Sequence, residues 1–189
     1  MFFYKINREN FMDKEFNNTT QYGKIGGIYF RAILKKIIKI GNLQDSSKKI
    51  LDFGSGTGEL KKILGTSNKN VVNYDIVPEL TETNDWTKET FNVFVANQVF
   101  YIFSKEELIE VIKKLEKTNP QVEIIIGISK QGFLNKLGMI VLNYKEAHDN
   151  TLLNLEQELE IFLKYTKIIK KRSVFLLTNV YLLKFLKDI

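Results

Sequence analysis

The chain has 189 residues, a formal charge of +6 and 44% hydrophobic side chains, a length that fits one well-buried domain rather than two. It has no cysteine and one histidine, which excludes disulfides, thiolate metal sites, a cysteine nucleophile and a multi-histidine metal centre, so no metal is expected. The lack of thiols fits a reducing, cytoplasmic setting.

The first twenty residues are polar and irregular, without the apolar core and small-residue cleavage site of a signal peptide. In "GIYFRAILKKIIKI", Phe30, Ile33, Leu34, Ile37 and Ile38 share one helical stripe opposite Arg31, Lys35, Lys36 and Lys39, and Gly41 fits the helix end. "KILDF" reads as a buried strand, "GELKKIL" as a helix, and "NVVNYDI" as a second strand closed by Pro78. "FNVFVANQVF" is a third strand, rich in Val and Phe. "SKEELIEVIKKLEK" is a helix with a capping box from Ser104 and Glu107. "QVEIIIGIS" is a strand, and "TLLNLEQELEIFLKYT" a helix with Leu152, Leu155, Leu159, Phe162 and Leu163 on one side. "KIIKKRSVFLLT" and "VYLLKFLK" close the chain as two strands with a turn near Asn179. This order predicts an α/β protein: a mostly parallel sheet, helices on both faces, and an antiparallel C-terminal edge.

The positive charge is concentrated. Residues Ile161–Ile189 hold seven Lys or Arg against one acid, Asp188. Such an end suits phosphate-bearing substrates, nucleic acid or a membrane surface, or is simply a solvated lysine face. No run is long and apolar enough to span a bilayer, "SVFLLTNVYLLKFL" being interrupted by Asn179 and Lys184.

The glycine loop after the first strand, "LDFGSGTGEL", is the most informative stretch. Three glycines in five residues imply close backbone approach by a ligand. The "TGEL" ending lacks the Lys-Ser or Lys-Thr of a nucleoside triphosphate loop. Glu59 stands where a dinucleotide loop has its third glycine, and Asp52 would repel a pyrophosphate. A ligand with a cationic or hydrogen-bond-donating end fits better.

Together with "VVNYDIVPEL", "TNDWTK" and "FNVFVANQVF", this loop resembles the motif series of class I S-adenosylmethionine-dependent methyltransferases, from about Lys48 to the C-terminus. The resemblance implies a Rossmann-like sheet in residues 48–189, with residues 1–47 as a helical lead-in and cofactor lid. It implies S-adenosyl-L-methionine as cofactor, leaving as S-adenosyl-L-homocysteine. Gly54, Ser55, Gly56 and Gly58 would line the methionine moiety and Asp52 would balance its cationic end. Asp75, with Ile76 beside it, would take the ribose hydroxyls. Asp85 and Trp86 would take the adenine, Asn97 the methionine ammonium, and Gln98 would be a further cofactor-binding residue beside it. A helix cap or turn residue at Asp75, and a self-capped loop with a core tryptophan at Asp85–Trp86, are the structural alternatives.

The acceptor is less legible. "ANQVFYIF" lacks the Pro-Pro motif of amino-methylating DNA enzymes, and carbon-5 base methylation normally needs a cysteine. A small-molecule, lipid-linked or glycan acceptor is therefore favoured over RNA or protein, and a non-catalytic binding module is a third reading. Peripheral membrane contact is compatible with the basic end. His148, in "KEAHDNTLL", is the candidate general base, or else the flank of a helix capped by Asp149 or Thr151. Tyr22, in "TTQYGKIGG", is the second catalytic candidate, on a glycine-flanked segment suited to a lid, or else a packed tyrosine.

Overall fold

A computed structural model describes residues 24–65, 70–129 and 153–186. The described residues form a six-stranded sheet in the order β2-β1-β3-β4-β6-β5. Its strands are β1 (Ile50–Phe53), β2 (Val71–Tyr74), β3 (Val93–Asn97), β4 (Glu123–Ser129), β5 (Thr166–Val174) and β6 (Thr178–Phe185). The first four run parallel, while β6 is antiparallel to both β4 and β5.

Helices cover both faces. On one, α1 (Lys24–Gly41) buries Ile33, Ile37 and Ile40 against Ile50, Val93, Val95, Ile125, Val180 and Leu182, and Leu60 of α2 (Glu59–Leu64) joins this layer. On the other, α3 (Lys105–Thr118) and α4 (Leu155–Leu163) close over Leu51, Phe94, Ile124, Ile126 and Leu183. Alternate residues of each central strand therefore supply opposite cores, which is why β1, β3 and β4 read as continuous apolar runs.

Three local details need the structure. First, Gly41 ends α1 as expected, but the left-handed residue that caps it is Asn42 (φ 50°). The Leu43 N–H then donates to the Ile38 carbonyl at 3.0 Å, the six-to-one bond of a Schellman cap. Gly41 is small for packing, since a Cβ there would collide with the Ile125 side chain. Second, β3 ends at Asn97 rather than running on to Phe100. Gln98 adopts φ 56° and the chain enters a 3-10 turn at Phe100–Ile102. Third, the C-terminal hairpin turns at Phe175–Leu177, closed by Leu177 N–H to the Val174 carbonyl at 3.0 Å, and Asn179 sits inside β6.

The predicted capping box of α3 is present, with Ser104 and Glu107 bonding reciprocally. Helix α4 starts later than expected, at Leu155. It is capped by a box that hydrophobic periodicity does not reveal, between Asn154 and Gln157. On its inner face Glu158 is buried beside Ile161 and Phe162, while Leu163 is exposed.

Candidate functional site

The strand order creates the site. The chain leaves β1 for β2 on one side, then returns to β3 on the other, so the loops after β1 and β3 diverge at the carboxyl end of the sheet. That crevice is where open α/β sheets bind ligands.

The loop after β1 is fixed by left-handed backbone at Gly54 (φ 71°), Gly56 (φ 51°) and Gly58 (φ 72°). Gly54 and Ser55 both donate to the Tyr74 carbonyl, at 2.8 and 3.1 Å, tying the loop to the end of β2. A Cβ at Gly54 would strike the Val99 side chain from the loop after β3, and one at Gly58 would strike the Asn73 amide. At Gly56 a Cβ would meet nothing within 4 Å. Close approach to the rest of the protein therefore explains Gly54 and Gly58, and Gly56 alone opens onto free space.

Asp75 follows β2 directly. Its Oδ2 accepts the Gly56 N–H at 2.8 Å and its Oδ1 accepts the Val77 N–H at 3.1 Å. Each oxygen keeps acceptor capacity beyond its one backbone bond. Ile76, next in the chain, is 65% exposed.

Asp52 is buried within β1, opposite Asn73 in the register with β2 and Val95 in that with β3. Burial, and secondarily the charge of Asp75, push its carboxyl up to about 7. The site is thus short of positive charge.

Asp85 caps the 3-10 turn Trp86–Lys88. Its Oδ1 accepts from the Thr87 backbone at 3.2 Å and the Thr87 hydroxyl at 2.6 Å, and Lys88 lies 3.3 Å from Oδ2. The Thr87 hydroxyl bond is the main force holding this carboxyl below its ordinary range. Trp86 is buried, edge-on to Phe53 at 5.7 Å between ring centroids. Both features of the structural alternative are therefore present here. Asp85 is still part of the same rim, because its charge, after burial and Asp75, helps push the Tyr74 hydroxyl up.

At the end of β3, Asn97 Oδ1 and Gln98 Nε2 are buried without a hydrogen-bond partner. Gln98 is turned by its left-handed backbone while its N–H holds the Gly127 carbonyl at 2.8 Å. Unpaired buried amides are rare and call for an explanation.

Asp52, the glycine loop, Asp75 and the Asn97–Gln98 pair therefore meet at one crevice. His148 and Tyr22 lie outside the described residues. Among the described residues no group of three His, Cys, Asp or Glu side chains could hold a metal ion. Sequence reading missed Asn73 and Val99, which shape the glycine loop. Asn73, buried with a further unpaired oxygen, was legible as a polar residue on the inward register of a strand. Val99 carried no signal.

The family model described as "Methyltransferase domain" matches residues 26–128. Among solved structures, the PH0226 protein from Pyrococcus horikoshii OT3 superposes with a TM-score of 0.65 at 13% identity, covering 94% of this chain and 99% of its own. The N-methyltransferase NodS from Bradyrhizobium japonicum WM9, in complex with S-adenosyl-L-homocysteine, gives 0.64 at 11% identity, covering 95% and 96%. Magnesium protoporphyrin IX methyltransferase from Synechocystis PCC 6803, with the same molecule bound, gives 0.57 at 12%, covering 94% and 92%. No curated protein matches the chain in sequence.

Proposed function

The chain belongs to the methyltransferase-domain family, and from that premise we propose that it is an S-adenosylmethionine-dependent enzyme that methylates an oxygen or nitrogen of a small-molecule, lipid-linked or glycan acceptor. The observation that carries this reading is the pairing of unmet needs at the carboxyl end of β1 and β3. Asp52 lacks a counter-charge, and Asn97 Oδ1 lacks a donor. A ligand whose amino-acid end bears an ammonium next to a sulfonium supplies both. When bound, S-adenosylmethionine supplies an activated methyl group.

The chain's own residues divide the remaining work. Asn97 Oδ1 would accept from the ammonium and Asp52 would ionise against it, while Gln98 Nε2 would donate to the ligand's carboxylate. Asp75 holds the ribose hydroxyls with the acceptor capacity left over from the loop, a geometry a neutral side chain does not reproduce. Ser55 and Gly56 present the open backbone surface, and Gly54 and Gly58 keep that surface in shape. Ile76 and the Asp85 rim would hold the adenine, with Trp86 supporting that rim from the core. Alignment of acceptor and donor supplies much of the acceleration. His148 assists deprotonation of a hydroxyl acceptor, and the lid role falls to the residues before α1, with Tyr22, because α1 itself is packed into the core.

Several structurally similar enzymes are named for small-molecule acceptors, including magnesium protoporphyrin IX and 8-amino-8-demethyl-D-riboflavin. This favours a small acceptor over RNA or protein. Calorimetry with S-adenosylmethionine, S-adenosylhomocysteine and NAD tests the cofactor assignment; binding of NAD alone overturns it. Methyl-labelled cofactor supplied to a cell extract then identifies the acceptor class, and His148→Gln with unchanged turnover from pH 5 to 9 removes the base.

A further inference from the structure

We propose that the β5–β6 hairpin is a membrane-docking element whose tip, Phe175–Leu176, inserts into an anionic bilayer beneath a collar of Lys and Arg side chains. This inference is independent of the methyl-transfer reading. Three observations carry it.

The first is the tip itself. Phe175 (φ 49°) and Leu176 (φ 60°) are successive left-handed residues in a tight turn. Turns of this kind are normally made by Asn-Gly or Asp-Gly, because bulky side chains resist positive φ. Here two large apolar residues occupy both strained positions, and they are 64% and 76% exposed. Neither folding nor solubility benefits from that choice. Such strain persists only where the surroundings over-determine it, and they do. The Tyr29 and Thr178 hydroxyls bond to each other, Ser129 Oγ lies 2.8 Å from Thr178 Oγ1, and Ser173 Oγ donates to Asn179 Oδ1 at 2.7 Å. The tip is an apolar wedge on a braced support. Ile28, at the start of α1, is a further exposed aliphatic side chain at 63%, and the adjacent Tyr29 ring lies 6.2 Å from that of Phe175.

The second is charge. Helix α1 packs on β4, β5 and β6. Between them, Lys24–Gly41 and Thr166–Leu186 hold ten of the 28 Lys and Arg and none of the 22 Asp and Glu. They are Lys24, Arg31, Lys35, Lys36 and Lys39 on α1, and Lys167, Lys170, Lys171, Arg172 and Lys184 on the hairpin. The rest of the chain therefore has more acids than bases. Among those whose side chains are described, only Lys184 has a carboxylate within ion-pair distance, Glu123 at 3.7 Å.

The third is placement. Arg172 precedes Phe175 by three residues, about 10 Å along a strand. A tip buried in the acyl boundary therefore leaves Arg172, Lys171 and Lys170 among lipid phosphates. Lys171 lies on the face of Tyr181, 5.5 Å from its ring centroid, and its neighbours alternate to the other face, so the cations surround the strand. Nucleic acid also attracts cations and Phe175 offers it a ring, but Leu176, the more exposed tip residue at 76%, is aliphatic and gains only from an apolar phase, and this favours lipid.

The test is co-sedimentation of the full chain with vesicles of mixed phosphatidylglycerol and phosphatidylcholine, against phosphatidylcholine alone. The key variant is Phe175→Asn with Leu176→Gly, which gives the turn its preferred residues and so keeps or raises the melting temperature. The expected result is binding to anionic vesicles only, lost at least tenfold in this variant and weakened about fivefold for each of Lys170→Gln and Arg172→Gln. Binding that survives the tip exchange, or that is equal for both vesicle types, overturns the proposal. So does a tip exchange that leaves vesicle binding untouched but converts a dimer to a monomer in sedimentation velocity, which would assign the tip to a second copy of the chain. Preferential capture of single-stranded oligonucleotide with no vesicle binding overturns it as well. Calorimetry with S-adenosylmethionine on the same variants is expected to be unchanged, so failure here is distinct from failure of the proposed function.

Discussion

Replacing Asp52 by Asn is expected to stabilise the free protein and weaken its hold on cofactor, with both effects set by pH. The Asp52 carboxyl titrates near 7 in the folded chain, because it is buried and faces Asp75, against an ordinary value of 3.8. Its folded value is raised, so the native state holds a proton that the unfolded chain releases. Its contribution to stability is complete below about pH 4, is lost as the pH rises toward 7, and is flat above. A rise of about three units corresponds to at most about 4 kcal/mol. Asp52→Asn should recover part of this at pH 8 and almost none at pH 4 in urea unfolding. Binding runs the other way. A cationic ligand selects the ionised carboxylate, so affinity should fall about tenfold per pH unit below 7 and one proton should be released per ligand bound at pH 6. Titration calorimetry at pH 6 in two buffers of different ionisation enthalpy reads that proton directly. The Asn variant should release none and bind about ten- to a hundredfold more weakly at pH 8, the cost of a lost charge-assisted hydrogen bond. Unmutated protein whose affinity is flat from pH 5.5 to 7.5, or an Asn variant that keeps the slope, would refute the assignment.

Asp75→Ala should weaken S-adenosylmethionine binding more than Asp85→Ala in calorimetry, each lost hydrogen bond to the charged group costing about 1.5–3 kcal/mol, because Asp75 also holds the Gly56 N–H. Gly54→Ala should destabilise by at least about 1–3 kcal/mol in thermal unfolding, since it combines a left-handed backbone with the Val99 collision, and Val99→Ala should relieve only the second part. Glu158, pushed up to about 8 by burial from an ordinary 4.5, makes a stability contribution that is lost between about pH 4.5 and pH 8; Glu158→Gln should flatten that slope in denaturant melts and raise stability at pH 9.

Much of the architecture was readable because the central strands and α3 carry strong local signals: "ILDF", apolar but for Asp52, the isoleucines of "EIIIGIS", and a serine cap at Ser104. Two of the errors share one cause. At Gln98 and Phe175–Leu176 non-glycine residues adopt left-handed backbone, so the chain turns where no glycine or proline announces it. That moved the end of β3 and the hairpin turn by several residues. In the site, the glycine spacing and the order of Asp52, Asp75 and Asp85 were visible. The reasons for the individual glycines were not, because Gly54 and Gly58 answer to Val99 and Asn73, which meet them only through the fold. The depth of Asp52 was partly foreshadowed by its place in a strand apolar on both sides.

The contact between Gly54 and Val99 ties together two loops that sequence treats as separate. One carries the proposed donor-binding backbone and the other runs from Gln98 through the 3-10 turn at Phe100–Ile102. With no void between them, neither can shift without displacing its neighbour. An engineer who enlarged or reshaped residues 98–103 to admit a new acceptor would therefore retune donor affinity as well, and compensating changes would have to be found in pairs across the two loops. Over evolutionary time the same interlock would make substrate range change in steps, each waiting on a second mutation, while the glycine loop itself stayed still.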